Sequence, residues 1–369
     1  MPSGDASITI RELFKIFGAS AAQYVEAVRS GLSKAELVRK HGVVLALNNI
    51  SISMPAGKIQ VIMGLSGSGK STLIRHINRL VDPTSGSIVI DGRNILEMGE
   101  LELREFRRNR TAMVFQRFAL LPHRTVIENV MFGLEVRGMP KAKARDLAMR
   151  WIERVGLHGF DARYPHELSG GMQQRVGLAR ALSNDAAILL MDEAYSALDP
   201  LIRTDMQTML LDLQAELRKT IVFITHDLDE ALRLGDQIAI LRDGEVVQQG
   251  TSQDIVLRPA DTYVASFVKD VNRARVIHVE AVMKPVDRAY PAGDITIAAG
   301  TTVEDAIRVM VHQPDSEVVV VGPTGQPLGL ISMRELADAL TSPNGSPTEN
   351  AAPPTNTTPE SARGQRSRR

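Results

Sequence analysis

"GLSGSGKST", residues 64–72, stands between the apolar run "IQVIM" and the helical pattern "LIRHINRL". Between a strand and a helix, such a glycine-rich loop lets successive backbone N–H groups turn inward around phosphate oxygens, and the helix N-terminus adds its positive end. Lys70 would bring a charge to the β- and γ-phosphates, and the Ser71 hydroxyl could coordinate Mg²⁺. The stretch predicts an α/β P-loop fold whose phosphate-binding residues are Gly64, Ser66, Gly67, Ser68, Gly69, Lys70, Ser71 and Thr72.

Two acidic residues follow a second buried strand. In "ILLMDE", residues 188–193, four apolar residues predict a strand of a parallel sheet, so Asp192 and Glu193 emerge at its carboxyl end, where open α/β sheets bind ligands. Asp192 would hold Mg²⁺ through the water shell of the ion, and Glu193 could polarise the water that attacks the γ-phosphate. A plain helix N-terminus would show the same two acids, but the P-loop upstream favours the catalytic interpretation.

A histidine and a glutamine are expected near the same sheet edge. His226 in "FITHD" lies just past a third apolar run, which places it at the same crevice. Gln116 in "VFQRFALLPH" could reach Mg²⁺ or the attacking water from a loop. Our candidate catalytic residues are therefore Glu193, His226 and Gln116, and our candidate Mg²⁺ ligands are Ser71, Gln116 and Asp192.

"ELSGGMQQR", residues 167–175, places a second serine and two glycines at the start of a helical pattern, but it has no lysine. The positive end of such a helix suits a γ-phosphate. One chain cannot easily fold both cradles onto one nucleotide. Two copies paired head to tail about a twofold axis could hold two ATP molecules, each between the P-loop of one copy and, in the other, Ser169, Gly170, Gly171 and Gln173. The sequence therefore predicts a homodimer.

Strand-like and helical patterns alternate over most of the chain. Residues 8–17 are strand-like, and residues 101–183 are largely helical. "QIAILRDGEVVQQG" predicts a hairpin around Asp243 and Gly244. Buried strands between helices predict a mostly parallel sheet covered on both faces.

An inserted segment, residues 18–42, separates the first strand pattern from the second. Its second part is predicted to be a short helix, because Ser33 and Glu36 make a capping box and Gly42 is a stop signal. The segment is therefore a helical insertion into the α/β unit.

The pattern changes past about residue 270. "TTVEDAIRVMVHQ" predicts a helix capped by Thr302 and Asp305, "SEVVVVG" a buried strand, "GQPLGLIS" a turn and strand, and "MRELADALTS" a second helix. These elements form a small separate α/β unit. Residues 342–369 are rich in Pro, Ser, Thr, Asn and Gly and end in "RGQRSRR", so we expect a disordered, solvated tail.

Composition limits the class of protein. Lysine and arginine together number 43, as do aspartate and glutamate, so no overall charge draws the chain to nucleic acid or to a lipid surface. There is no cysteine, which excludes disulfides and thiolate metal sites and fits a reducing cytosol. The apolar runs are shorter than the roughly 20 residues of a membrane-spanning helix, and the N-terminus shows no signal pattern. We expect a soluble cytoplasmic protein.

The motifs resemble those of the ATP-binding subunits of ABC transporters. The resemblance covers about residues 8–270 and rests, in this order, on "GLSGSGKST", Gln116, "LSGGMQQR", "ILLMDE", "SALD" and His226. It implies an ATP-binding domain over residues 1–270, with a RecA-like core that contains the insertion described above. It also implies that residues 101–183 form a helical subdomain facing transmembrane permease subunits near Gln116.

The same resemblance implies roles for single residues. Asp199 of "SALD" would communicate between the two nucleotide sites of a dimer. In this family an aromatic residue before the P-loop strand usually stacks on adenine. Phe17 of "LFKIFG" fits that motif, although the insertion separates it from "ALNNIS", and Tyr24 is the alternative.

A narrower resemblance rests on the insertion after "KIFG", the stretch "VIMGLSGSGKSTLIRHINRLVDPTSGSI" and the small α/β unit past about residue 270. These look like the subunits that energise uptake of glycine betaine, proline or choline. They imply a peripheral protein on the cytoplasmic face of the inner (plasma) membrane. It would use ATP and Mg²⁺, work with a permease and indirectly with an extracytoplasmic solute-binding protein, and bind no nucleic acid.

Residues 278–341 resemble a CBS module, which in relatives regulates transport in response to ionic strength or a nucleotide. Paired copies normally form the ligand cleft, and only one copy is visible here. Either two subunits supply one half each, which would allow osmotic regulation, or the module only stabilises the dimer.

Two other functions fit parts of the sequence. A soluble ABC ATPase acting on nucleic acid or ribosomes would use the basic cluster "LREFRRNR", residues 103–110. Such proteins usually carry two fused cassettes or a long coiled-coil insertion, and this chain has neither, so a solvated helix face is the simpler explanation of the cluster. A sensor built on the CBS module would need a degenerate ATPase, whereas every catalytic position has the expected residue type.

Overall fold

A computed structural model describes residues 7–116, 118–285, 295–312 and 317–341. The strands, in chain order, are β1 (Ile8–Phe17), β2 (Val44–Met54), β3 (Ile59–Met63), β4 (Ser85–Ile90), β5 (Arg93–Asn94), β6 (Thr111–Phe115), β7 (Ile188–Asp192), β8 (Thr220–Thr225), β9 (Gln237–Arg242), β10 (Glu245–Gly250), β11 (Lys284–Pro285), β12 (Thr296–Ala298), β13 (Val318–Val321) and β14 (Pro327–Ile331). The helices are α1 (Val25–Arg29), α2 (Lys34–His41), α3 (Lys70–Ile77), α4 (Glu100–Asn109), α5 (Val126–Val136), α6 (Lys141–Arg154), α7 (Gly170–Ser183), α8 (Pro200–Leu217), α9 (Leu228–Leu234), α10 (Ser252–Leu257), α11 (Thr262–Val268), α12 (Arg273–Val276), α13 (Val303–Met310) and α14 (Met333–Thr341).

The central sheet has the strand order β10-β9-β3-β8-β7-β6. Its strands are parallel except β10, which runs antiparallel to β9. Every residue of β3, β7 and β8 is buried, as strands covered on both faces require. Asp243 and Gly244 form the predicted two-residue hairpin turn between β9 and β10, with φ of 53° and 91°. The predicted, mostly parallel α/β fold is confirmed.

A second sheet has the order β2-β1-β4-β5 and is antiparallel throughout. The sequence analysis did not separate it from the parallel sheet. The reason lies in β1, whose register with β2 shifts three times between Ile10 and Ile16, so the alternation of apolar and polar residues is irregular. Buried side chains of this sheet share one apolar core with α3 and with one face of the central sheet.

Strand β6 corrects the expectation that residues 101–183 are largely helical. "TAMVF" pairs in parallel with β7 at the edge of the central sheet, and α4 packs beside this strand. A five-residue apolar run cannot be told from a buried helical segment by periodicity alone. Helices α5, α6 and α7 pack on one another and form the helical part that the prediction described.

The insertion folds as predicted. Ser33 and Glu36 form a capping box at the start of α2, and Gly42 ends the helix with φ 66°. Before α2 the chain forms a 3-10 helix, Ala21–Tyr24, and then α1. Buried side chains of α1 and α2 pack on β1 and β2 in a small apolar core made of Phe14, Ile16, Val25, Val28, Leu37, Val43 and Leu45.

The C-terminal unit contains a third sheet in the order β11-β14-β13-β12, together with α13 and α14. Thr302 caps α13 as predicted, because its Oγ1 accepts the Asp305 N–H at 3.1 Å. The predicted tail, residues 342–369, lies outside the described residues. Of the helices in the described ranges, none is both long enough and apolar enough to cross a membrane.

Candidate nucleotide site

The loop between β3 and α3 requires glycine at two positions. A Cβ on Gly64 would clash with the carbonyl oxygen of Leu241, and one on Gly69 would lie 2.8 Å from the carbonyl oxygen of Ala46. Gly69 also has φ 100°, a conformation that favours glycine. A Cβ added to Gly67 would meet only open space. The loop is therefore tight against β2 and β9 on one side and open on the other, as a phosphate cradle must be.

Lys70, the first residue of α3, turns back into this loop. Its Nζ donates to the carbonyl oxygens of Gly64 (2.8 Å) and Leu65 (3.0 Å) and lies 3.8 Å from Glu193 Oε1. Burial lowers the pKa of Lys70, and the nearby carboxylates of Glu193 and Asp192 oppose that shift. Because an ammonium has three donors and the loop uses two, one remains for an anion.

Ser71 and Asp192 join the P-loop to β7. Ser71 Oγ donates to Asp192 Oδ1 at 2.8 Å, and a guanidinium nitrogen of Arg75 lies 3.7 Å from Oδ2. A hydroxyl and a carboxylate are oxygen donors of the kind that Mg²⁺ takes together with substrate phosphates and water. The described ranges contain no cluster of three or more His, Cys, Asp or Glu side chains that could hold a metal ion without ligands from a nucleotide or water. The donor set fits an ion that arrives with a nucleotide.

Glu193 follows β7 with φ 46°, in the left-handed region that residues with long side chains rarely adopt. Its N–H donates to the carbonyl oxygen of Ile224 in β8 at 3.1 Å, and its own carbonyl accepts from the N–H (3.3 Å) and the hydroxyl (3.0 Å) of Ser196. These three bonds hold the strained backbone in place.

Side chains from three strand ends meet at the Glu193 carboxylate. Gln116 Nε2 donates to Glu193 Oε2 and to Ser196 Oγ, both at 3.3 Å, and His226 Nδ1 lies 3.5 Å from the same Oε2. They meet because β6, β7 and β8 are neighbouring parallel strands, whose carboxyl ends share one sheet edge. Gln116, predicted also as a Mg²⁺ ligand, bonds Glu193 and not Asp192. The catalytic and metal-binding roles remain predictions.

The second cradle opens α7. Ser169 is its N-cap, with Oγ accepting a backbone N–H of the first turn at 3.3 Å, and Gly170 is exposed. A Cβ on Gly171 would lie 2.6 Å from a methyl group of α8, and Gln173 Nε2 donates to a backbone carbonyl before the helix at 3.2 Å. Among the described residues, no hydrogen bond or ion pair joins residues 169–173 to the P-loop.

Asp199 and the two candidates for adenine stacking, Phe17 and Tyr24, differ in their exposure and contacts. Asp199 is exposed and caps α8, accepting the Ile202 N–H at 3.1 Å. Phe17 ends β1 with 43% of its surface exposed, and Lys15 Nζ lies 4.8 Å above its ring. Tyr24, the alternative for adenine, already packs against the His41 ring at 4.7 Å. Phe17 is thus the more available of the two aromatic faces.

The sequence analysis missed two sets of contacts at this site. Ser196 supports both Glu193 and Gln116, and an ion pair joins Arg203 to Asp227, the residue after His226. Asp227 could have been noticed as an acid before a helical pattern, which is an N-cap signal.

A groove of about 610 Å³ runs along β6. Phe115, Phe132 and Val136 give it apolar walls, and its other lining residues include the arginines 104, 107, 108 and 180. Arg180 donates to the carbonyl oxygens of residues 118 and 119, and burial lowers its pKa. The groove therefore combines apolar and cationic surface, and Phe115, which lines it, is the residue before Gln116.

Comparisons with known proteins agree with this geometry. Residues 47–196 match the family model for ABC transporters, and residues 279–342 match that for CBS domains. A dimeric structure of MJ0796, a bacterial ABC transporter cassette, superposes with a TM-score of 0.57 at 32% identity, covering 66% of this chain and 98% of that one.

Curated relatives match over longer stretches. The chain is 52% identical to the glycine betaine transport ATP-binding protein OpuAA of Bacillus subtilis over 277 residues, which are 75% of this chain and 66% of that protein. It is 45% identical to the glycine betaine/proline betaine transport system ATP-binding protein ProV of Escherichia coli, covering 92% of this chain and 84% of the relative. It is 44% identical to the trimethylamine N-oxide transport system ATP-binding protein TmoW of Ruegeria pomeroyi, covering 91% and 98%.

These relatives are transport proteins, so the alternative of a soluble ATPase acting on nucleic acid is not favoured. This chain combines a P-loop on a mostly parallel sheet, the acid that follows β7 and the serine-glycine cradle on α7. Its similarity to a relative extends over most of its length. The chain therefore belongs to the ATP-binding proteins of the ABC transporter family.

Proposed function

We propose that this chain is the ATP-hydrolysing subunit of an importer for glycine betaine or a chemically similar N-methylated solute. The observation that carries the proposal is the meeting of Gln116, Glu193 and His226 beside the buried Lys70. A carboxylate next to a phosphate-binding lysine, with two polar side chains around it, is suited to activate a water molecule against a γ-phosphate.

In this proposal each group has one task. Lys70 and the N–H groups of the loop bind the β- and γ-phosphates, and the Glu193 carboxylate accepts the proton of the attacking water. Gln116 and His226 orient that water and the phosphate. Ser71 and Asp192 would hold Mg²⁺, which neutralises charge on the phosphates when it is bound with ATP.

We further propose that two copies share each nucleotide. The cradle of Ser169, Gly170, Gly171 and Gln173 has an exposed helix N-terminus that no described contact ties to the P-loop of its own chain. An N-terminus of this kind attracts anions. The dimeric state of the solved cassette supports a pairing in which Asp199, exposed at the start of α8, also faces the second copy.

The groove beside β6 is our candidate docking site for the permease. A cytoplasmic segment with an apolar face and an acidic side chain would match the apolar walls and the four arginines. Docking there would place the permease next to Phe115 and Gln116, so motion of the partner could reach the catalytic carboxylate. Such a subunit would work at the cytoplasmic face of the inner membrane, with an extracytoplasmic binding protein reached only through the permease.

The solute class rests on the relatives. Their names include glycine betaine, proline betaine and trimethylamine N-oxide, all of which carry a methylated nitrogen. Choline, which is also N-methylated, is a further candidate, as is proline, whose nitrogen carries no methyl group. We assign residues 278–341 to a CBS module that makes transport depend on osmolarity, and residues 1–270 to the ATPase unit.

The first test is uptake of labelled glycine betaine, choline, proline and trimethylamine N-oxide at low and high external osmolarity. The cells would carry wild type, Glu193→Gln, or Glu26→Gln as the only copy. Glu26 is the matched control, because its side chain is 79% exposed on the insertion. We expect uptake of at least one solute to collapse with Glu193→Gln alone. Unchanged uptake of all four would refute the importer proposal.

A further inference from the structure

One ion pair joins the start of α8 to the start of α9. A guanidinium nitrogen of Arg203, in the first turn of α8, lies 3.2 Å from Asp227 Oδ2, and Asp227 is the N-cap of α9. His226 immediately precedes Asp227, and Asp199 immediately precedes α8. The pair therefore links the loop that would face a second copy to the loop that carries His226.

Each partner of this pair is held at a second point. The other guanidinium nitrogen of Arg203 donates to the carbonyl oxygen of Leu198 at 3.2 Å, and Asp227 Oδ1 accepts the Glu230 N–H at 3.1 Å. The planar guanidinium is a rigid fork, so its two bonds keep a constant geometry. A shift of the Leu198 carbonyl would therefore move the carboxylate of Asp227 with it.

A buried polar layer supports the same two helices. Gln207 Nε2 of α8 donates to Glu230 Oε1 of α9 at 3.2 Å, and Gln207 Oε1 accepts from Arg233 of α9 at 2.9 Å. Glu230 is 5% exposed, and burial raises the pKa of its carboxyl group. Bonds of this kind in a buried layer stabilise the packing of α8 against α9.

We propose that Arg203 is a positioning residue that transmits the position of residues 196–199 to His226. A second copy that contacts Asp199 would move the Leu198 carbonyl, and Arg203 and Asp227 would carry that shift to His226. ATP would thus be hydrolysed efficiently only after the two copies have closed. This inference rests on the two-chain site of the proposed function.

The test separates ATP binding, dimer formation and turnover. We would measure ATP turnover as a function of ATP concentration for Arg203→Met and Arg203→Lys. Both should lower kcat by about tenfold or more and change KM by less than about twofold, because the P-loop is untouched. Arg203→Lys is informative because a single ammonium keeps the charge but cannot replace the fork.

The control is Arg233→Met in the same pair of helices. Arg233 bonds Gln207 and Thr208 but neither Leu198 nor Asp227, so its loss should lower the thermal unfolding midpoint and leave kcat within about twofold of wild type. A similar kcat loss in Arg233→Met would mean that Arg203 only stabilises the helix pair, and the inference would be overturned.

A mutant cycle asks whether Arg203 acts through His226. His226→Ala should lower kcat much less in the Arg203→Met background than in wild type, because residues that act as a unit are not additive. If the two substitutions lower kcat independently, so that their fold losses multiply in the double variant, the inference is contradicted.

Dimer formation distinguishes the inference from the proposed function. ATP should drive dimerisation of both Glu193→Gln and the Glu193→Gln, Arg203→Met double variant, as measured by light scattering. If Glu193→Gln alone stays monomeric, the two-chain site fails. If both dimerise and Arg203→Met keeps wild-type kcat, the two-chain site stands and the role of Arg203 is refuted.

Discussion

The backbone conformation of Glu193 destabilises the folded protein. Substitutions of Glu193 should therefore affect the stability of the protein and its ATP turnover in different ways. At φ 46° a residue with a Cβ carries about 1–2 kcal/mol of strain that glycine avoids. Glycine in turn loses about 0.4–1 kcal/mol relative to alanine, because the unfolded chain gains freedom. Glu193→Gly should therefore be more stable than Glu193→Ala by about 0.8 kcal/mol, within a range of about 0–1.6 kcal/mol. Both variants lack the carboxylate, so the comparison isolates the backbone.

The assay is thermal unfolding together with ATP turnover. The difference corresponds to a midpoint about 1–3 °C higher for Glu193→Gly than for Glu193→Ala. Turnover should fall by about 10²–10⁴ in both variants and in Glu193→Gln, because each removes the proton acceptor. Ala194 is the matched control: it is 1% exposed and does not have positive φ, so Ala194→Gly should lower the midpoint. A midpoint for Glu193→Gly below that of Glu193→Ala would refute the strain, and turnover near wild type in any of the three would remove Glu193 from the mechanism.

Three further predictions concern the rest of the chain. Ser169→Arg should abolish ATP turnover but leave the Kd for ATP within about threefold of wild type, as measured by calorimetry on the isolated subunit. A loss of ATP binding would contradict the two-chain site. Phe17→Ala should weaken ATP binding by about 1–3 kcal/mol, whereas Tyr24→Ala should not, and the reverse order in the same titration would reassign the adenine contact. Burial opposes ionisation of Glu335, but hydrogen bonds from Lys284 and from the Ser332 hydroxyl prevail and lower the pKa of its carboxyl group to about 2. The contribution of Glu335 to the free energy of unfolding should therefore be complete above about pH 4.5 and should be lost as the pH falls to about 2. Acid unfolding of Glu335→Gln, followed by circular dichroism, should lack that dependence, and identical acid profiles for the variant and wild type would contradict it.

Local patterns were sufficient for the parts of the fold that neighbouring residues control. The P-loop, the capping box at Ser33, the N-cap at Thr302 and the hairpin at Asp243 and Gly244 each depend on residues within a few positions of one another. Their conformations follow from steric limits and short hydrogen bonds that a reader of the sequence can recognise. Strand β6 was missed because five apolar residues have no period that distinguishes strand from helix.

The candidate site could be predicted as a set of residues but not as a geometry. Ser71 and Asp192 are 121 positions apart, and Gln116 and Glu193 are 77 apart, so only the order β3-β8-β7-β6 brings them to one sheet edge. The positive φ of Glu193 comes from bonds to β8 and to Ser196, which no local pattern encodes. The fork of Arg203 between Leu198 and Asp227 likewise exists only because α8 and α9 pack together. Chain neighbours set backbone conformation and capping, whereas the distances at the site depend on how sheet and helices pack, and packing joins residues that are remote along the chain.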